Sequence, residues 1–258
     1  METSVEDRPE PRATLWRYHH KQALRDALLR VLAQHEHWLA QAVVAAEAYG
    51  QDALGELLWL GDQYALPNAV WLFTDVEATH RAAAAGAVLG PCAQGLWGAE
   101  LLGNFDPAWG ALVVNPGSPP DESLVLQGDA LDEASRWGRA VLLEALLTPP
   151  VDPGDDVVLG AILEFDGFVI LRHVPTDEPI TVQRSHGGAR LVAFTAPDGA
   201  DAFVRVMEGD RGEYEPSLVT GATLCRLASG CPGGVLLNVY GPGPERTVPP
   251  ELVLRAIG

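Results

Sequence analysis

The chain has 258 residues, with 17 Lys and Arg against 35 Asp and Glu and a formal charge of −18 at pH 7. Hydrophobic residues make up 47% and charged ones 20%, so the chain can bury a core and is not disordered as a whole. So negative a chain argues against nucleic acid and anionic membrane surfaces as partners, since both are held by clustered cations, and it leaves a basic protein partner open.

Residues 1–13 hold Pro9 and Pro11 among mixed charges and are expected to form a flexible tail. Leu24, Leu28, Val31 and Leu32 follow the i, i+4, i+7, i+8 spacing of a helix over Ala23–Leu32. Residues 37–44 suit either a continuation of that helix or a strand. Glu56–Leu60 is a short apolar run. Ala69–Thr74 reads as a buried strand, and Thr74-Asp75 as the cap of a helix from Val76 to Ala85, stopped by Gly86. A short helix is expected over Gly98–Gly103. A strand over Ala111–Val114 ends in the turn-rich Asn115-Pro-Gly-Ser-Pro119, and a longer helix follows over Leu131–Leu147.

Thr148–Asp156 carries three prolines and a glycine and reads as a linker. Beyond it, strands are expected at Phe168–Leu171, Ile180–Val182, Leu191–Thr195 and Val235–Asn238, and helices at Asp198–Met207 and Pro250–Ile257. No signal peptide or apolar run of membrane-spanning length is visible. Cys92, Cys225 and Cys231 make neither a disulfide framework nor a paired zinc knuckle, so a reducing cytoplasm is the expected setting.

The halves resemble each other. Gly98-Ala-Glu-Leu101 matches Gly221-Ala-Thr-Leu224, and without a gap the match reaches Leu112-Val-Val-Asn115 over Val235-Leu-Leu-Asn238. Leu72-Phe-Thr74 lies over Ala193-Phe-Thr195, and Leu32–Val43 can be laid over Leu163–Val174 at an offset of 131. Three blocks in one order suggest an internal duplication, and the last favours a strand for Trp38–Val43. Phe73 and Phe194 should then pack in the core, Thr74 and Thr195 should cap helices, and Asn115 and Asn238 should serve turns.

Pro67–Ala78, with its Leu72-Phe-Thr-Asp75 strand-to-helix step, and Gly110–Ser118, with its Val114-Asn-Pro-Gly117 turn, resemble the N-terminal domain of the SseB protein family. Residues 190–195 and 234–238 resemble it more loosely, and Val239-Tyr-Gly-Pro242 departs from its Asn-Pro-Gly-Ser turn. The resemblance implies an α/β fold with a mixed sheet and brings no catalytic residues. The expected architecture is two tandem SseB-like units, residues 14–147 and 157–258, joined by the linker at 148–156.

Chemistry is thinly marked. His35-Glu-His37 could present two imidazoles on one strand face, but no third ligand has recognisable spacing, and zinc needs three or four. His19-His20 reads as helix surface. No nucleophile elbow or phosphate loop occurs, and nothing selects an acid pair for glycoside hydrolysis. No cofactor or metal is expected. Charge, by contrast, is segregated. Six cations (Arg8, Arg12, Arg17, Lys21, Arg25 and Arg30) lie in residues 1–30, whereas Val31–Ser135 holds 14 acids and one cation, Arg81. That stretch is either a solubilising surface or a docking face for a cationic partner. All seven tryptophans lie between Trp16 and Trp137; most should be core, and any exposed ones are candidate hot spots.

The leading expectation is a non-enzymatic, cytoplasmic immunity or adaptor protein that binds a basic protein such as a toxin or effector. Its candidate contacts are Asp75, Glu77, Trp97, Asp106, Trp109 and Asp121. The alternatives are a hydrolase built from scattered residues and a structural homo-oligomer.

Overall fold

The computed structural model describes residues 10–19, 25–43, 69–87, 89, 93–106, 110–148, 154–183, 188–207 and 213–258. The fold is α/β, and the chain divides into two compact units, Met1–Arg139 and Ala140–Gly258.

In the first unit, helices α1 (Glu10–His19) and α2 (Arg25–Gln34) precede strand β1 (Trp38–Val43). The ambiguous segment is therefore a strand, as the internal match favoured. Then come β2 (Ala69–Phe73), α3 (Val76–Ala84), β3 (Ala93–Leu96), α4 (Gly98–Gly103), β4 (Ala111–Val114) and β5 (Leu124–Gln127). A 3₁₀ turn at Pro120–Glu122 lies between the last two strands. Helix α5 (Asp129–Leu147) closes the unit and runs on into the next. The sheet order is β3-β1-β2-β4-β5, parallel only between β2 and β4. Side chains alternate across β2. Ala69, Trp71 and Phe73 meet Ala78 and Ala82 of α3 and Ala111 and Val113 of β4. Leu72, Leu112 and Val114 are buried on the opposite face.

The second unit holds α6 (Asp155–Glu164), β6 (Phe168–His173), the short β7 (Glu178–Pro179) and β8 (Thr181–Gln183), and β9 (Ala189–Phe194). It continues with α7 (Pro197–Val206), β10 (Tyr214–Val219), α8 (Gly221–Ala228), β11 (Val235–Leu237), β12 (Arg246–Val248) and α9 (Pro250–Ile257). The sheet order is β10-β6-β9-β11-β12, again with one parallel pair, β9 and β11. Strand order and the sense of every pairing along this path match the first unit. Ala200, Phe203 and Val204 of α7 pack on Val169, Leu171, Val192, Phe194 and Leu236. No helix among the described residues is long and apolar enough to cross a membrane.

Four expectations change. The flexible tail expected over residues 1–13 does not cover residues 10–13, and residues 1–9 lie outside the described residues. Glu10 opens α1, and Arg12, Ala13 and Leu15 are buried, because Pro11 fits the first turn of a helix as readily as a tail. The helix expected over Ala23–Leu32 is described as Arg25–Gln34, and residues 23 and 24 lie outside the described residues, as does the run 56–60. Helix α6 starts at Asp155, inside the expected linker, with Gly154 at its N-cap at φ 85°. The division between units falls within α5 rather than at 148–156. The last turns of α5 belong to the second unit because Glu144 bonds Thr195 and the Leu147 carbonyl accepts from Arg246. One helix thus follows β5 as α9 follows β12, and precedes α6 as α1 precedes α2. Strand β10 escaped sequence reading because Pro216 sits within it. An edge strand tolerates proline, since the missing N–H can face away from the ladder.

Candidate functional site

The carboxyl ends of adjacent parallel strands are where open α/β sheets usually take ligands. In the first unit this is the end of β2 and β4. Asn115 leaves β4 in the left-handed region at φ 50°, which asparagine tolerates better than other non-glycine residues. Its Oδ1 accepts from the backbone N–H of Thr74 (2.9 Å) and from Thr74 Oγ1 (3.2 Å). Its Nδ2 donates to the Glu122 carbonyl at 3.1 Å. One amide therefore ties together the ends of β2, β4 and the turn before β5. The second unit repeats the clamp. Asn238, at φ 56°, accepts from Thr195 N–H (2.9 Å) and Thr195 Oγ1 (3.1 Å).

The threonines hold these clamps rather than cap helices. The cap of α3 is Asp75, whose Oδ1 accepts from Ala78 N–H at 2.8 Å. The N-cap of α7 is Ala196, which has no side chain to offer.

Around the first clamp lies a buried ionic network. Arg12, from α1, donates to Glu122 Oε2 through Nη2 (2.7 Å) and Nε (3.1 Å). Its Nη1 meets Glu77 at 3.1 Å and Asp75 at 3.5 Å. Arg81 bonds Glu77 (3.0 Å) and Ser118 (3.1 Å) and lies 3.6 Å from Glu122. The Arg12 and Glu122 side chains are each 8% exposed. Burial opposes the charge of Arg12, but the Glu122 hydrogen bond and the charges of Glu122 and Asp75 outweigh it and raise its pKa. The crevice is thus filled by a guanidinium of the chain itself. The second unit puts an acid there instead: Glu144 of α5, buried, accepts from Thr195 Oγ1 at 2.5 Å.

His35 sits at the same sheet end. Its ring meets Trp38 edge-on (centroids 4.9 Å, 83°), as Phe165 meets Phe168 in the second unit (4.7 Å, 82°). Gly98 N–H donates to the His35 carbonyl and Gly221 N–H to that of Phe165, both at 2.7 Å. His35 therefore answers to Phe165, an offset of 130 rather than 131; the sequence overlay followed a leucine identity, and the hydrogen bonds follow the backbone. Burial and the neighbouring His37 lower the His35 pKa from 6.5, against the opposing pull of the Thr74 backbone, Asp75 and Glu36. Below about pH 6.5 the unfolded chain then holds more protons than the folded one, so acid removes stability. His35→Phe, which copies the second unit, is expected to flatten that acid slope in urea unfolding measured from pH 5 to 8; a slope that persisted would have another source. Among the described residues no group of three or more His, Cys, Asp and Glu is placed to hold a metal.

Tyr240 departs from the first unit. It lies two residues beyond the second clamp, where the first unit has Gly117, and holds φ 58°. A bulky L-residue there costs about 1–2 kcal/mol. The residue is 58% exposed, and its ring stacks with that of Phe203 at a centroid distance of 6.3 Å. Tyr240→Gly and Tyr240→Ala both lose the stacking, but only glycine relieves the backbone. The glycine variant is therefore expected to be the more stable by about 1 kcal/mol in thermal unfolding.

Of the six expected contacts, Asp75, Glu77, Trp97 and Asp121 come to the carboxyl end of β2 and β4. Asp75 is spent on the cap and on Arg12, whereas Glu77 is 70% exposed beside its arginines. Trp97 is half-buried at the start of α4, and Asp121 is half-buried in the 3₁₀ turn. Asp106 is exposed on the approach to β4, at the opposite end. Trp109 lies outside the described residues. Trp38, Trp71 and Trp137 are core. Sequence reasoning missed Arg12 and Glu122 as a pair. The one available signal was Arg81, the lone cation of the acidic stretch, which joins them. No known family model, curated protein or solved structure matches this chain.

Proposed function

We propose that this chain is a protein-binding module of the immunity or adaptor kind, built from two duplicated SseB-like units, whose first unit receives a basic protein partner in the cytoplasm. The duplication is supported by the shared strand order, the two asparagine clamps and the paired Gly98 and Gly221 contacts. The observation that carries the binding role is the fate of the acidic stretch. Arg12 and Arg81 neutralise its inner carboxylates, while Glu36, Glu100, Asp106, Asp129 and Asp132 stay exposed. An exposed acidic surface steers a cationic partner and rejects an acidic one. The filled crevice favours recognition by surface over conversion of a small substrate at that place.

The test is affinity capture from the native host, followed by titration of the captured partner against wild type and a charge-reversed variant. The reversals belong at Glu36, Glu100, Asp106 and Asp121, leaving Asp75 and Glu77 to the fold. Binding is expected to weaken at least about tenfold and to lose much of its dependence on ionic strength. A partner that binds both proteins equally, or is indifferent to salt, would sink the reading.

A further inference from the structure

Four strands end the two sheet orders, so among the described residues each leaves a row of backbone N–H and C=O groups without a neighbouring strand. Three of these edges are blunted. β10 carries Pro216. β12 carries Arg246 and runs directly into Pro249 and Pro250. β3 holds Gly95 at φ 66°, and its register against β1 shifts between Trp38 and Ala40. β5 is different. Leu124-Val-Leu-Gln127 has no proline, no charge and no left-handed residue, and it pairs with β4 residue for residue. Val125 packs on the cluster of Trp71 and Val113, and Leu126 is buried on the opposite face, so the strand is held fast. Among the described residues, none of the four makes a hydrogen bond beyond the β4 ladder. The ends of this edge are acidic: half-buried Asp121 lies just before it, and exposed Asp129 and Asp132 lie just after.

We propose that the free edge of β5 takes up an extended, cationic segment of a protein partner as an added strand, which rests on the reading of the chain as a module for a basic protein. Alternate residues of a strand turn their N–H and C=O to the same side, so half of β5 faces outward and offers about four main-chain hydrogen bonds. Those bonds ask only for extended backbone, and the side chains at either end supply the selection. The strand spans about 10 Å from its first Cα to its last. A Lys or Arg on each side of an uncharged stretch of that length stands near Asp121 at one end and near Asp129 and Asp132 at the other. A second copy of this chain does not suit the edge. Paired antiparallel, two β5 strands set Asp121 of each copy beside Asp129 of the other; paired parallel, they set each acid beside its own twin. Either way like charges meet, which disfavours self-pairing. The edge thus admits a basic strand and refuses its own.

The probe is the peptide Lys-Val-Thr-Val-Thr-Lys, acetylated and amidated at its ends, titrated into the full chain and followed by amide hydrogen exchange. Saturable binding, millimolar or tighter, is expected at low ionic strength. At saturation the outward amides among Leu124–Gln127 should exchange at least about tenfold more slowly, with β10 and β12 unchanged. N-methylation of every central amide removes the donors and crowds both peptide edges, and should weaken binding at least about tenfold. Exchange of both peptide lysines for glutamate should do the same. Asp129→Asn with Asp132→Asn, both at exposed positions, should weaken the parent peptide about threefold or more. Absence of saturation, protection outside β5, equal binding by the N-methylated or the glutamate peptide, or an unchanged affinity in the double variant would each overturn the proposal. A host partner that weakens with the acid reversals but leaves β5 exchange unchanged would defeat strand addition and spare the basic-partner reading. Peptide binding at β5 with no partner in the host would do the reverse.

Discussion

Replacing Arg12 with alanine is expected to lower the stability of the first unit by about 3–5 kcal/mol, the cost of stripping one partner from a buried ion pair. The loss arises chiefly at Glu122. Its side chain is 8% exposed, and without Arg12 the nearest described guanidinium is that of Arg81, at 3.6 Å and off hydrogen-bond distance. Asp75 and Glu77 lose a cation too, but both reach solvent and lose less. The pair Arg12→Met with Glu122→Gln removes both charges together and is expected to recover most of the loss, since an apolar or neutral replacement of a buried pair is often near neutral. Arg12→Lys should recover little, because one ammonium cannot serve Glu122 through two N–H groups and reach Glu77 as well. Tryptophan fluorescence in urea is the measurement. All seven tryptophans lie in residues 16–137, so that signal reports the first unit. A loss below about 1 kcal/mol for Arg12→Ala would mean that the network behaves as a surface pair.

Gly221→Ala is expected to destabilise the second unit by about 3 kcal/mol or more, at or beyond the upper end for overpacking, because the obstacle is backbone. A Cβ at Gly221 would land on the carbonyl oxygen of Ile162, near the end of α6, which cannot rotate away as a side chain could. The same residue donates its N–H to Phe165, so the start of α8 is pinned against the end of α6 and cannot retreat without breaking that bond. Gly98→Ala should do the same to the first unit, where the new methyl would fall on the Leu32 carbonyl and crowd the Trp38 indole nitrogen at 2.8 Å. The two variants separate by probe. Gly98→Ala shifts the tryptophan transition. Gly221→Ala leaves that probe less changed and shifts hydrogen exchange in β6, β9 and β11. Wild-type stability in either variant would show that the helix starts move apart freely.

These two expectations differ in how far the sequence foretold them. The glycines stood out because they head the matched segments at 98 and 221. The need for glycine there, close approach of helix start to helix end, became visible only in the fold. The asparagines were also legible, as residues suited to a turn. Their wider task, joining the ends of two parallel strands through Thr74 and Thr195, depends on partners 41 and 43 residues away. Continuous apolar runs made β2, β4, β9 and β11 readable, because central strands are buried on both faces. Strands β3, β5, β10 and β12 were not readable, since edge strands are half-exposed and carry no strong apolar run.

Charge shows the division most clearly. The sequence by itself determined that cations collect in residues 1–30 and acids in residues 31–135, and that the central strands are apolar and the halves alike. Only the tertiary structure decided that these opposite segments meet. Arg12 enters the crevice at Glu122, Arg25 pairs with Glu133 at 2.7 Å, and Arg30 lies 5.0 Å over the Trp137 ring. Each of these contacts spans more than a hundred residues of chain. Local periodicity and propensity act over a few residues and can specify a strand, a turn or a cap. Which charge neutralises which is set by where the sheet order brings the helix ends, and that is a property of the packed whole.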